Sequence, residues 1–153
     1  MIRLLASLAF VAACAHAPRP ALQPINQTGA LSLSVRAGDQ LVEIGLVARG
    51  NHTKLVRIVG HDFVELFDPP TQIPGVPSTV HAFDYMIDPG PAVEGETNIP
   101  GRFTLVASGN AGQIVYRTTW VFTWNPARKA FEISERYTQR EDVSRCLVCD
   151  SES

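Results

Sequence analysis

From Ala30 onward, apolar and polar residues alternate along the chain with a period close to two. The alternating segments are rich in Val, Ile, Phe, Tyr and Thr, which favour extended backbone, and none of them has helical spacing. Turn-forming residues separate them. The segments are 31–35, 41–47, 53–59, 63–67, 79–87, 102–107, 113–124 and 129–138. The pattern predicts an all-β domain, either an antiparallel β-sandwich or a small open barrel of about seven to eight strands.

The clearest part of the pattern, residues 102–138, predicts a three-stranded antiparallel meander. Turns are expected at 108–112 and 125–128, where Gly, Asn or Pro cluster. Within this meander, one face of the second strand and one face of the third carry large, mostly aromatic residues. They are Tyr116, Trp120, Phe122 and Trp124 on the second strand, and Phe131, Ile133 and Tyr137 on the third. Such rows are typical of core packing, so we expect them to form a wall of the core.

Two longer segments, 68–78 and 88–101, interrupt the strand pattern and are rich in proline and glycine. Both exceed the roughly two to five residues of a β-hairpin connection, and long loops of this kind are either functional or merely mobile. Because binding residues concentrate on loops held by a regular scaffold, these segments are the candidate binding loops. Their characteristic residues are Pro69, Pro70, Pro74, Gly75, Pro77, Pro89, Pro91 and Pro100.

The first thirteen residues differ in composition from the rest of the chain. Arg3 is followed by an apolar run from Leu4 to Ala13, which is typical of a secretory signal peptide. The run has about half of the roughly 20 residues that a transmembrane helix requires. We therefore expect residues 1–13 to be removed during export.

The end of this segment, Val11-Ala12-Ala13-Cys14, resembles the lipobox of bacterial lipoproteins. The resemblance covers this segment alone. It implies that the chain is cut before Cys14, that the cysteine sulfur receives a diacylglycerol, and that the new amino group is acylated. Several acyl chains on one residue hold a protein durably on a membrane. By the same resemblance, Ala15 is compatible with export to the outer membrane, with the domain in the periplasm.

Two alternatives remain open for the location of the protein. An ordinary signal peptidase could cut after Ala13-Cys14-Ala15, which would release a soluble chain that begins at His16. A lipid-anchored domain could also be exposed on the cell surface.

The mature chain is expected to have three parts. Residues 14–28 contain the lipid-attachment cysteine and three prolines, which suit an extended tether. Residues 29–140 form the β domain, and residues 141–153 form a polar tail. The 140 residues from 14 to 153 are enough for one domain with a core.

The charge of the mature chain argues against nucleic acid as a partner. Without Arg3, the 13 basic residues become 12, which against 15 acidic residues give a net charge of −3. The two signs are interspersed, and the sequence has no basic run that would neutralise phosphates.

Cys146 and Cys149 lie two residues apart in the polar tail. A redox pair is usually placed at the start of a helix, and a zinc site requires about four ligands, for which the sequence offers no second cysteine pair. In an oxidising envelope we expect the two thiols to form a disulfide with each other, although pairing with another chain stays open. We expect no metal and no cofactor.

His61 and His81 are the candidates for acid–base or metal chemistry, because Asp62 and Asp84 lie near them in the sequence. Adjacent residues on a strand point to opposite faces, as do residues three apart, so these pairs are more typical of strand ends facing water. The usual hydrolase, zinc-protease and phosphate-binding motifs are absent from the sequence.

Three functional hypotheses follow from the sequence. The first is a lipid-anchored, non-enzymatic module that binds an envelope protein or a cell-wall component through its two long loops. The second is a small periplasmic enzyme or metal-binding protein that uses His61 and His81. The third is a carbohydrate-binding module that uses Trp124 and neighbouring aromatic rings, which requires those rings to be exposed.

Overall fold

The computed structural model describes residues 23–24, 32–49, 52–89 and 101–144. The described residues form nine strands and no α-helix, so the predicted all-β class is confirmed. The strands are β1 (Gln23–Pro24), β2 (Ser32–Ala37), β3 (Gln40–Arg49), β4 (His52–Val59), β5 (Asp62–Phe67), β6 (Asp84–Asp88), β7 (Arg102–Ala111), β8 (Ile114–Asn125) and β9 (Ala130–Asp142).

The strands form two antiparallel sheets, each built as a meander. The first sheet has the order β2-β3-β4-β5, and the short β1 pairs with the end of β3 beside β2. The second sheet has the order β6-β7-β8-β9. The sheets share one core but do not close on each other, so the sandwich is the better of the two predicted architectures.

The core lies between the inner faces of the two sheets. Phe67 of β5 joins them, because its ring centroid lies 5.5 Å from that of Trp120 and 5.7 Å from that of Phe122. Phe103 stacks on Phe122 at 4.9 Å. Each large apolar side chain in such a core stabilises the fold by roughly 1.5–3 kcal/mol. The buried residues contributed by the sheets include Val35, Val42, Ile44, Leu46, Leu55, Ile87, Phe103, Leu105, Ala107, Trp120 and Phe122.

Residues 68–83, here called the linker, connect the two sheets and belong to the same core. Ile73, Val76 and Val80 are at most 7% exposed and pack in the core cluster. The predicted strand 79–87 is therefore wrong in its first half, since β6 begins only at Asp84. The chain at 79–83 turns Val80 into the core instead of pairing with a neighbouring strand.

The linker is fixed to the second sheet at two places. On β7 it passes so close to Gly109 that a Cβ there would lie 2.5 Å from Val80 Cγ1 and 3.0 Å from the Ala82 carbonyl oxygen. On β9, Arg136 Nη2 donates a hydrogen bond of 2.6 Å to the Pro74 carbonyl oxygen. The linker thus lies across the inner face of the second sheet.

The predicted meander of residues 102–138 is present, but one of its turns differs. β7 continues to Ala111, and the expected turn at 108–112 is reduced to Gly112 and Gln113. Gly112 has a φ of +63°, which glycine adopts without strain. Because β7 extends past Gly109, the linker packs closely against the strand at that residue.

The four aromatic residues of β8 share the inner face, as predicted, but the row on β9 is divided. The register shifts between Val121 and Phe122, so that Val121 pairs with Glu135 and Phe122 pairs with Ile133. This bulge inserts one extra residue and reverses the alternation of side chains beyond it. Tyr137 therefore points to the outer face, where it is 45% exposed. Ile133 pairs with Phe122 but is also 45% exposed, so the prediction of these two residues in the core was wrong, and only Phe131 of this row packs against it.

Candidate functional site

A cavity of about 430 Å³ opens where the linker meets the ends of β4 and β6. This volume lies within the range of roughly 300–1,000 Å³ that is typical of small-molecule sites. Its lining residues come from β4, from both ends of the linker and from β6. They are His52, Thr53, Pro69, Thr71, His81, Ala82, Phe83 and Tyr85.

The first wall of the cavity follows from the β3–β4 hairpin and from the exit of β5. Arg49 pairs with His52 and closes the hairpin, so β4 starts at the rim of the cavity. Asp68-Pro69-Pro70 follows β5 directly, and proline cannot continue a strand within a sheet. The linker therefore leaves the sheet at Phe67 and places the buried Pro69 against the cavity.

The second wall is the end of the linker, residues 81–83, which leads into β6. Besides Val80 Cγ1 and the Ala82 carbonyl oxygen, Phe83 Cδ1 would lie within 2.9 Å of a Cβ at position 109. The Phe83 ring lies 6.4 Å from the Tyr85 ring, at an interplanar angle of 53°. Glycine at 109 thus allows this wall to lie directly on β7.

An ion-pair cluster stands beside the cavity. Lys54 Nζ lies 3.2 Å from Asp68 Oδ2 and 2.5 Å from Glu65 Oε2. The hydrogen bonds to Glu65 and, second, to Asp68 raise the pKa of the Lys54 ammonium above its ordinary value of 10.5. Lys54 therefore remains charged, and it pairs with both carboxylates.

The hydroxyl of Tyr85 is kept protonated by its surroundings. Burial, and then the negative charge of Asp68, raise the pKa of the Tyr85 phenol above its ordinary value of 10.0. Both causes disfavour the phenolate. At neutral pH this hydroxyl is a neutral group that can donate a hydrogen bond.

Chemically, the cavity offers hydrogen bonds from two imidazoles, two threonine hydroxyls and one phenol, next to an apolar wall. Over residues 32–49, 52–89 and 101–144, no group of three or more His, Cys, Asp or Glu side chains is arranged to hold a metal ion. The side chains that line the cavity can bind a ligand through hydrogen bonds and apolar contact.

The structure separates the two histidines that the sequence joined in one hypothesis. His81 lines the cavity, whereas His61 is exposed in the tight turn between β4 and β5. β4 separates His52 from His61 by roughly 23 Å at the usual rise per residue. The described lining of the cavity contains His52 and His81, and His61 is not among those residues.

The sequence analysis did not identify His52 as a site residue, because His52 lies in the turn between the predicted strands 41–47 and 53–59. The signal that could have found it is the register of the β4–β5 hairpin. A two-residue turn at Gly60 and His61 brings the start of β4 opposite the end of β5, where the linker begins. His52 therefore had to lie near the first prolines of the linker.

The predicted loop residues have different environments. Pro69 lines the cavity, the carbonyl of Pro74 accepts from Arg136, and the carbonyl of Pro77 accepts from the Val80 amide at 3.0 Å. Gly75, with a φ of +89°, lies against Thr138 of β9. Pro70 is exposed. Most of these residues fix the linker and do not extend from it.

The second predicted loop lies at the other end of β6. The linker enters β6 at Asp84, and the second loop leaves after Asp88. Pro89 is partly exposed, while Pro91 and Pro100 lie outside the described residues. The described lining residues that belong to a predicted loop all come from the first one.

The aromatic row on β8 is largely inside the protein. Trp120 and Phe122 are 3% and 2% exposed. Trp124 is half-buried, with its ring edge-on to Phe131 at 5.1 Å, and it borders a shallow depression of about 330 Å³. Tyr116 is also partly exposed, but for the carbohydrate hypothesis Trp124 is the ring of this row that borders a described depression.

Several predicted features lie outside the described residues, namely the signal peptide, Cys14, and the Cys146–Cys149 pair. Within the described ranges, no helix has the length and apolar character needed to cross a bilayer. Comparison with protein-family models, with curated proteins and with solved structures finds no match to this chain.

Proposed function

We propose that this protein is a lipid-anchored, non-enzymatic binding module of the bacterial cell envelope, and that its binding site is the cavity beneath the linker. The observation that carries the proposal is that both linker walls of the cavity are fixed in place. Pro69 follows directly from β5, and Phe83 lies on Gly109 of β7. A site whose walls are already ordered loses less conformational entropy on binding.

The interior of the linker supports the same proposal. Its apolar residues Ile73, Val76 and Val80 are buried, and Arg136 holds Pro74 from the opposite edge of the sheet. These contacts order the linker and hold its cavity-lining ends in place. The linker therefore has the properties of a binding loop on a rigid scaffold.

Site-specific photocrosslinking in cells, with adducts detected by mass spectrometry, tests the binding site for a small ligand as well as for a macromolecular partner. Ala82, which is exposed and lines the cavity, would be replaced by p-benzoylphenylalanine, and His61 at the far end of β4 would carry the same probe as a matched control. We expect a discrete adduct from position 82 only. Identical adducts from both positions, or none from position 82, would contradict the proposal.

The anchor is tested separately. Cys14→Ser removes the sulfur that the lipid requires, so the variant should move from the membrane fraction to the soluble fraction. Because the lipobox resemblance is the support for this part, a variant that stays wholly in the membrane fraction would argue against lipidation at Cys14. Neither outcome changes the proposal that the cavity is the binding site.

A second candidate function, a small periplasmic enzyme or metal-binding protein, is favoured by the position of His52 and His81 on one cavity. It differs from the sequence hypothesis in the identity of the first histidine. Titration of the metal-free protein with Zn²⁺ tests it, because imidazole is a common zinc ligand. Binding that is lost in His81→Ala but kept in His61→Ala would support this candidate.

A further inference from the structure

The polar lining of the cavity consists of side chains that can donate hydrogen bonds. His52, Thr53, Thr71, His81 and Tyr85 each carry an N–H or O–H group. Each of these groups can also accept a hydrogen bond. Among the described residues that line the cavity, none carries a carboxylate, so an acidic ligand would meet donors in the lining without a like charge among them.

Two carboxylates beside the cavity share one cation. Asp68 and Glu65 both contact Lys54, whose single positive charge offsets one of their two negative charges. Arg49 adds a second cation on this side, since it pairs directly with His52 and paired residues share a face of the sheet. Asp84 precedes Tyr85 on β6 and therefore points to the other face of that strand. The surroundings are thus compatible with an anion.

The apolar part of the lining lies on one side. Pro69 and Phe83 come from the two ends of the linker, with Ala82 next to Phe83. The ring of Phe83 is half-buried and offers a flat surface. Within about 430 Å³, this wall has room for a ring or a short hydrocarbon group beside the donors.

We propose that the cavity binds a small organic anion. Its carboxylate or phosphate group accepts hydrogen bonds from His52, His81 and the neighbouring hydroxyls, and its apolar part lies on Pro69 and Phe83. The inference rests on the proposed function, because it names the ligand class of the same cavity. A carboxylate or phosphate group accepts stronger hydrogen bonds than a neutral group of the same shape does.

The test compares anions with a neutral analogue of the same shape. The full mature chain, labelled with ¹⁵N and held in a non-ionic detergent, is titrated with benzoate, phenyl phosphate and benzamide. We expect saturable shifts of the His52, Thr71 and His81 amide signals, with at least tenfold tighter binding of one anion than of benzamide. Comparison of the two anions distinguishes a carboxylate site from a phosphate site.

Variants connect the binding to the two histidines. His52→Gln and His81→Gln retain a polar side chain but cannot become cationic, and each should weaken anion binding at least fivefold. His61→Gln is the matched control and should leave it unchanged. Thermal unfolding of each variant verifies the fold, and a fivefold loss in a variant with an unchanged midpoint supports a direct contact.

Three results would overturn the inference, and they have different consequences for the proposed function. Equal binding of benzamide and benzoate at the cavity would reject the anion but keep the binding site. Saturable binding of Zn²⁺ at His52 and His81, without anion binding, would replace the anion by a metal. Shifts from none of the three probes, together with no photocrosslinked adduct at Ala82, would reject both proposals.

Discussion

β4 carries a histidine near each of its ends, and the two surroundings differ sharply. Beyond Val59, His61 lies in a two-residue turn, where it is exposed. At the start of the strand, His52 lies beside a sixteen-residue linker (68–83) and lines a cavity with His81. Of these two histidines, the one beside the linker lines a cavity with other polar side chains, and the one in the tight turn faces solvent. The difference comes from the irregular chain that covers one end of the sheet.

The same contrast separates the two kinds of connection in the molecule. The turns at 38–39, 60–61 and 112–113 reverse the chain and bury no large side chain. The linker buries three apolar residues and is held on β7 and β9. We therefore expect substitutions in the linker to affect both stability and binding. Substitutions at the tight turns should affect neither, except at the glycines with positive φ, where a side chain would strain the backbone.

The largest effect is expected from Ile73→Ala in the linker. The Ile73 side chain is 0% exposed, and removing it leaves a cavity in the core, at a cost of about 3 kcal/mol in the free energy of unfolding. Leu41→Ala, which truncates a 70% exposed side chain near the turn at 38–39, should cost about 0.5 kcal/mol or less. Urea unfolding measures both, and equal losses would show that the linker is not part of the core.

A smaller loss, of about 2 kcal/mol, is expected from Gly109→Ala. The added Cβ would overlap Val80 and approach the Ala82 backbone, which cannot move without shifting a cavity wall. Urea unfolding and the amide signals of residues 81–83 would both report this change. Ser108→Ala, on the opposite face of β7, is the control and should leave those signals in place; if it perturbed them equally, close packing at Gly109 would not be the cause.

Arg136→Met should cost about 1 kcal/mol or less, because it removes an exposed hydrogen bond to the Pro74 carbonyl. Its more specific effect is local. The amides of Val76 and Val80, which are hydrogen-bonded within the linker, should exchange with solvent faster than in the unsubstituted protein. Arg140→Met on the same strand is the control, and faster exchange in both variants would mean that the Pro74 contact is not what holds the linker.

The smallest effect is expected from Tyr85→Phe, and only at alkaline pH. Since the pKa of Tyr85 is raised in the folded state, its contribution to stability is complete below pH 10 and is lost as pH rises through the folded pKa. The variant lacks an ionisable hydroxyl, so its stability should decline less between pH 10 and 12. Thermal unfolding across that range measures this, with Tyr137→Phe on the outer face as the control. An unchanged decline in Tyr85→Phe would contradict the predicted coupling.

The strands were predictable from the sequence because alternation reflects one buried and one exposed face. The route of the linker was not, since Ile73, Val76 and Val80 follow no period of two or 3.6. The outward position of Tyr137 could not be predicted from the sequence either, because a bulge depends on the pairing of two strands and not on either strand alone.

For the candidate site, His81 and Pro69 could be identified from sequence, and the tight turn at Gly60 and His61 places His52 near Pro69. The association of His81 with them could not be predicted, because it requires the path of the linker over Gly109. That path is not encoded in a local motif. The His61-Asp62 pair is the more obvious acid–base candidate in the sequence, but it lies at the tight turn between β4 and β5, where both residues are exposed.

The meander order of the two sheets has a consequence for folding. Apart from the short β1, strands that are neighbours within a sheet and lie inside the described ranges are also neighbours in sequence, so each sheet can form from local hairpins. Docking of one sheet on the other, with the linker between them, is the step that needs distant contacts and is therefore the slower one. The cavity comes into existence only at that last step. A ligand that occupies it would stabilise the docked protein and not its separate halves, so ligand binding and completion of folding are thermodynamically linked.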